Sequence, residues 1–307
     1  MNSIKLKDPS IHTGHKSSLY RLHYVPQNRT VLSAGGDGMV VEWSIDHPES
    51  DGKVIAQIDT QIFSIALHEN QPVLFIGQMN GGIHVLDLEH RKELKHLALH
   101  ENSIFDLQLL PFDKSLLLAA GGDGMFSMWD TNNYDLVRKH QLSGKSLRRF
   151  SCSAGSGDIA FSSSDGDTYI LDKEFKIKRI LKHHKSSVFT LAYSPDGSLL
   201  VAGSRDAHYS IWDVKNNYEL LMSVPAHLFT INQIAFHPSG KWFATASRDK
   251  AVKIWDTYSL KLIKVIEKDK MISHKNSVND IIWLDDPEMI ITCGDDKVVM
   301  MRGVNIQ

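Results

Sequence analysis

Cysteine is nearly absent. Cys152 and Cys293 are the only two in 307 residues, they stand far apart, and neither has a His, Cys or carboxylate at metal-ligand spacing. A disulfide framework or a zinc site therefore has no basis, and both thiols are expected to pack as small apolar side chains. An excess of positive charge is lacking too. With 34 Lys and Arg against 36 Asp and Glu, the chain has no basic balance of the kind that wraps nucleic acid, which makes a nucleic-acid platform the weakest reading. No apolar run approaches the ~20 residues of a membrane helix. The leading MNSIKLKDPS has no apolar stretch of secretory-signal length, so no membrane partner is expected and the cytoplasm is the expected compartment.

What is present is periodicity. Trp43, Leu86, Trp129, Leu171, Trp212, Trp255 and Arg302 follow one another at steps of 43, 43, 42, 41, 43 and 47 residues. Six residues before each stands a polar turn residue: Asp37, Asn80, Asp123, Asp165, Asp206, Asp249 and Asp296. Five units are led by a histidine: His15, His100, His184, His227 and His274. Periods of 20 to 50 residues signal a repeat array rather than a string of domains. Each unit reads as short β runs separated by turn signals, as in His227 to Asp256, where His237-Pro238-Ser239-Gly240 and Ser247-Arg248-Asp249-Lys250 punctuate three strands. A fourth run follows, at 134–141, 218–224 and 260–266 for example.

The first run of every unit spaces its core residues three and then two apart, as in Leu19, Leu22 and Tyr24 or Ile231, Ile234 and Phe236. A strand alternates with period two, so the step of three predicts an inserted residue, a β-bulge, at one position in all seven units. The last unit stops short of a fourth strand, and the run from Ser3 to Lys7 is left over before the first histidine. That run is expected to complete the seventh sheet and close a ring.

Trp-Asp at 129–130, 212–213 and 255–256, with the His and Asp columns, resembles the WD-repeat family over essentially the whole chain. The resemblance implies one domain, 1–307, all-β, a seven-bladed β-propeller of four-stranded antiparallel blades. It also implies that Asp, His, Ser/Thr and Trp form a structural hydrogen-bonded network inside a blade. The matching sets are His15, Ser33, Asp37 and Trp43, and His227, Thr245, Asp249 and Trp255. The seventh unit keeps His274, Thr292 and Asp296, with Arg302 for Trp. In the third and fifth units Ala119 and Ala202 stand where the hydroxyl is expected, and the second and fourth lack both His and Trp.

A histidine and an aspartate repeated in most units do a job once per unit, which argues against a catalytic site or a bound metal. The AGGDG runs at 34–38 and 120–124 open no helix and are hairpin turns rather than phosphate cradles. Asp165-Gly166-Asp167 supplies too few oxygens for calcium. No cofactor is expected.

The residue after the first core position of each bulged strand is less uniform: Tyr20, Phe63, Phe105, Arg148, Phe189, Asn232 and Asn279. The resemblance places it on the top rim of the central channel. Met79, Arg205, Arg248 and Asp295, each preceding a turn residue, join the same face. Aromatics beside arginine have the composition of an interaction hot spot. The leading reading is a non-enzymatic scaffold, a monomeric propeller within a complex, that docks a protein or peptide there. The alternative is a propeller enzyme or a small-molecule or phospho-ligand receptor using the channel, with Arg148, Arg149, Arg205 and Arg248 as its nearest candidates.

Overall fold

In the second strand of each unit neighbouring side chains both point into apolar surroundings, so alternation gives way to near-continuous apolar runs. Trp242–Ser247 shows why. Trp242, Ala244 and Ala246 pack with Ile281 and Trp283 of the following unit, while Phe243 packs with Val201 and Tyr209 of the preceding one. Each sheet is covered on both faces by its neighbours.

The computed structural model describes residues 4–267 and 271–306. Among the described residues the chain is all-β, a ring of seven antiparallel blades. Blade 1 runs outward through Leu19–Val25, Thr30–Gly35, Met39–Ser44 and Lys53–Gln57. The inner strands of blades 2 to 7 are Ile62–Leu67, Ile104–Leu110, Leu147–Cys152, Val188–Tyr193, Ile231–Phe236 and Val278–Asp285. Neighbouring inner strands touch all the way round, the seventh returning to the first. Seven hydrophobic clusters fill the gaps between consecutive blades.

The ring is closed by the chain's own beginning. Val299–Ile306, the third strand of blade 7, pairs along its outer edge with Ile4–Leu6 and then Ser10–His12, in the registers Ile4↔Ile306 and His12↔Val299. The closing strand is thus in two pieces. Ser3 of the expected run lies outside the described residues, and Ser10–His12 extends it further than the sequence suggested.

Every inner strand carries the expected irregularity. The pairing slips between Leu19 and Arg21, and at the equivalent step in the other six blades, which makes Tyr20 and its six counterparts the inserted residues. The turn after each polar residue is equally regular: Gly38, Gly81, Gly124, Gly166, Ala207, Lys250 and Lys297 all have φ between 67° and 97°. Glycine adopts that left-handed conformation without strain, and four of the seven positions use it.

The fourth strands begin later than the sequence suggests, at Leu136, Glu219 and Leu262. The physical reason is backbone handedness. Tyr134, Tyr218 and Leu260 have φ of 61°, 59° and 57°, so they belong to turns, and their side chains fold back onto the interface with the preceding blade.

A candidate docking site on the top rim

The histidine and aspartate columns build a frame beneath the rim. In blade 6, His227 Nδ1 lies 2.9 Å from Asp249 Oδ2 and His227 Nε2 lies 2.7 Å from Thr245 Oγ1, which accepts from Trp255 Nε1–H at 3.0 Å. An indole only donates, so Thr245 Oγ1 accepts from Trp255; the neutral His227 tautomer that donates from Nδ1 to the Asp249 carboxylate presents Nε2 as an acceptor to the Thr245 hydroxyl. The backbone N–H of Leu228 and Ala251 also donates to Asp249. Burial pushes Asp249 upward, but the hydrogen bond and charge of His227 and these two amides outweigh it and hold the carboxyl at about 2. Burial meanwhile lowers His227.

Asp249→Ala is expected to cost about 1 to 3 kcal/mol, the scale of a hydrogen bond to a charged group. Because the folded-state pKa is depressed, this stabilisation is complete above the unfolded carboxyl value and is lost as pH falls toward 2. Urea melts of the two proteins should therefore differ at pH 7 and converge on acidification. Equal midpoints at pH 7 would count against the network.

Blade 1 has the same relay through Trp43, Ser33, His15 and Asp37. Blades 3 and 5 correct the sequence reading. Ala119 and Ala202 carry no hydroxyl, but the residues paired across from them, Ser127 and Ser210, do. Ser127 accepts from Trp129 and meets His100 at 2.8 Å, and Ser210 does the same for Trp212 and His184 at 2.9 Å. In blade 4 Ser143 and Tyr169 donate to Asp165 instead, at 2.6 and 2.8 Å. In blade 7 Arg302 donates to the carbonyls of Lys7 and Ile272 in place of an indole. These Ser–His–Asp sets are no catalytic triads. Ser33, Ser127, Ser210 and Thr245 are wholly buried and each accepts from an indole, so no substrate carbonyl can reach the hydroxyl.

Above the frame five of the seven bulge residues contact one another in series. Tyr20 and Phe63 have ring centroids 5.0 Å apart, and Phe63 and Phe105 5.4 Å. The Arg148 guanidinium lies 4.2 Å from the Phe105 ring centre and 4.8 Å from that of Phe189, while its Nε donates to Ser164 Oγ at 2.9 Å. Burial, then the nearby Arg205, lowers Arg148. These five side chains form one half-buried arc. Asn232 and Asn279 behave differently. Asn232 donates to Ser277 and Val278, and Asn279 to the Leu19 carbonyl and Asp295, so both brace blades 6, 7 and 1 together. Arg205, Arg248 and Met79 are exposed beside the rim.

Sequence reasoning missed one group here and, of a second, named only Arg149. Leu228 and Phe229, 83% and 56% exposed, follow His227 on the top face; the signal was that sister units place Lys16, Glu101, Lys185 or Lys275 after the histidine. Directly below the arc, the residue after each bulge is polar: Arg21, Ser64, Asp106, Arg149, Thr190, Gln233 and Asp280. Arg21 donates to Asp106 at 2.7 Å, Thr190 to Gln233 at 2.5 Å and Gln233 to Asp280 at 2.7 Å, around a channel cavity of about 240 Å³. Burial raises both carboxyls, opposed by Arg21. Arg149 is held 3.6 Å from Asp106 and 3.8 Å from Asp280, with Nη1 buried and lacking a hydrogen-bond partner. Among the described residues no His, Cys, Asp and Glu group is arranged to hold a metal ion.

Comparison with known proteins agrees with the ring. The profile of the nucleolar protein 10-like, N-terminal domain, a β-propeller, matches residues 47–302, and that of the WD domain, G-beta repeat, matches residues 8–44. The chain belongs to the nucleolar protein 10-like WD-repeat β-propellers. Echinoderm microtubule-associated protein-like 4 of Mus musculus is 26% identical over 164 residues, 48% of this propeller and 16% of that protein. Meiotic recombination protein rec14 of Schizosaccharomyces pombe is 23% identical over 65% of this propeller and 67% of its own length. The guanine nucleotide-binding protein subunit beta of Nicotiana plumbaginifolia is 20% identical over 70% of this chain and 60% of its own. WD-repeat propellers serve in general as non-enzymatic scaffolds for protein partners.

Proposed function

We propose that this propeller is a non-enzymatic scaffold that docks a protein or peptide on its top rim. The observation that carries the reading is the continuous arc of Tyr20, Phe63, Phe105, Arg148 and Phe189, built entirely from bulge residues. An inserted residue is not needed for sheet pairing, so aromatics there add little to the ladder and are free to serve a partner. The arc is preformed on a rigid ring, which lowers the entropy lost on binding. Leu228 and Phe229 extend its apolar reach, and Arg205 and Arg248 give it a charged edge. Asn232 and Asn279, tied to their neighbours, set the limit of the contact surface.

Phe105→Ala combined with Phe189→Ala is expected to abolish partner capture while shifting the melting midpoint only slightly, since both rings are half exposed. Affinity capture from the native organism's lysate with parent and double-mutant baits, compared by mass spectrometry, tests this. Unchanged capture, or a collapse in stability, would assign the rings to channel packing instead. A small polar ligand in the 240 Å³ channel cavity is the second reading, supported by the buried Nη1 of Arg149, which lies 3.6 Å from Asp106 and makes no hydrogen bond.

A further inference from the structure

The polar ring beneath the arc shares its hydrogen bonds unevenly. Asp106 accepts four, from Arg21 Nη2, Gln108 Nε2 and the backbone N–H of Leu107 and Phe150. Asp280 accepts three, from Gln233 Nε2 and the backbone N–H of Leu22 and Ile281. An ionised carboxylate offers about four lone-pair sites, so Asp106 is saturated and Asp280 can take one more donor. The guanidiniums are the reverse. Arg149, 8% exposed, meets Asp106 and Asp280 only at 3.6 and 3.8 Å, and its Nη1 is buried without a hydrogen-bond partner. Nε of Arg21, a residue 9% exposed, is buried without a partner as well.

The unmet demand in the channel is therefore for acceptors, and all of these side chains line the same cavity. Its volume is about 240 Å³, below the ~300 Å³ at which pockets for larger ligands begin, so it takes one small group. Water would fill the space at about 30 Å³ a molecule, but a guanidinium bonds an ionised oxygen roughly twice as strongly as a neutral one. The charges of the ring narrow the choice further. Arg21 and Arg149 are balanced by Asp106 and Asp280, and the nearby His23, lowered to about 4 by burial and then by Arg21, is neutral. A fully ionised ligand would face the spare lone pair of Asp280 with no hydrogen to offer it. A ligand that keeps one acidic O–H suits both sides, because its bare oxygens accept from the arginines while its O–H donates to Asp280. Two oxygens for the Arg149 fork, a third for Arg21 and the O–H for Asp280 make four, the number on a tetrahedral phosphate.

We infer that the central channel binds a phosphate group that retains one proton, held by Arg149 and Arg21 and selected by Asp280. The site rests on the second functional reading, a polar ligand in the channel, and not on docking at the rim.

The probe is inorganic phosphate, titrated calorimetrically into the intact protein. Binding is expected in the micromolar-to-millimolar range. Sulfate has the same shape and no proton, and should bind at least about tenfold more weakly, since a site built to hydrogen-bond a ligand O–H rejects the analogue lacking it. Arg149→Lys keeps the charge but loses the planar fork, and should weaken phosphate about tenfold or more. Asp280→Asn should erase the preference over sulfate; if that variant fails to fold, the parent's own preference and Arg149→Lys still decide. Capped phosphoserine, run beside inorganic phosphate, supports the site as well and, by binding more tightly, would place the phosphate on a partner rather than free in solution. Sulfate binding as tightly as phosphate would overturn the selection by Asp280 while leaving the channel an anion site. Phosphate binding undiminished by Arg149→Lys, or no binding of either ion, would overturn the inference and take the channel reading with it.

Discussion

Asp106→Ala is expected to cost about 3 to 5 kcal/mol, the scale of breaking a buried ion pair by removing one member. The carboxylate is fully buried and accepts from Arg21 Nη2 at 2.7 Å, from the backbone of Leu107 and Phe150, and from Gln108. No single water replaces four donors arriving from three blades. Its loss leaves Arg21 and Arg149 facing Asp280 alone, two guanidiniums against one carboxylate in a narrow channel. Urea denaturation reads the effect as a lowered midpoint with unchanged slope. A loss below about 1 kcal/mol would mean that water in the channel already screens these charges, as it does for surface pairs.

Removing residues 1–12 is expected to be more severe. The truncation strips Ile4–Leu6 and Ser10–His12 from the edge of Val299–Ile306. It exposes the core that Ile4 and His12 cover and takes away the Lys7 carbonyl that receives Arg302. Cross-strand hydrogen bonds at about 1 kcal/mol each and apolar burial of about 2 kcal/mol for a side chain such as Ile4 together reach on the order of 5 kcal/mol or more. That matches the whole stability of an ordinary domain. The truncated chain should accumulate as aggregate, or melt far below the parent in scanning calorimetry. Matching melts would show that the ring is held by blade packing without its clasp.

The ring itself was legible because seven copies of one unit repeat the same errors and the same successes. A step of three in a strand is ambiguous once and decisive seven times, and all seven bulges stand where that step placed them. The hydroxyl of blades 3 and 5 was not legible by column. Ala119 faces Ser127 across one strand pair, and Ala202 faces Ser210, so two sequence positions eight apart converge on one point in space. The polar channel ring escaped notice for another reason. Its members differ in kind from blade to blade and in three of them follow another polar residue, Arg148, Asn232 or Asn279, so no column marks them, whereas their burial comes from the inner strands converging on the axis.

The two-piece clasp also sets an order of events during synthesis. Ile4 pairs with Ile306, so the strand Ile4–Leu6 has no partner until Val299–Ile306, about 300 residues later, has been made. Blades 1 to 6 can form as they emerge, each sealing the gap behind it, yet the faces of blades 1 and 7 that share Leu19, Trp43, Ile291 and Met301 stay open until the strands of blade 7 have emerged. Contacts of such long sequence separation form slowly. Until blade 7 is made, the nascent propeller is therefore an open crescent with the closing face of blade 1 bare, the interval in which a chaperone or a neighbouring chain competes for it.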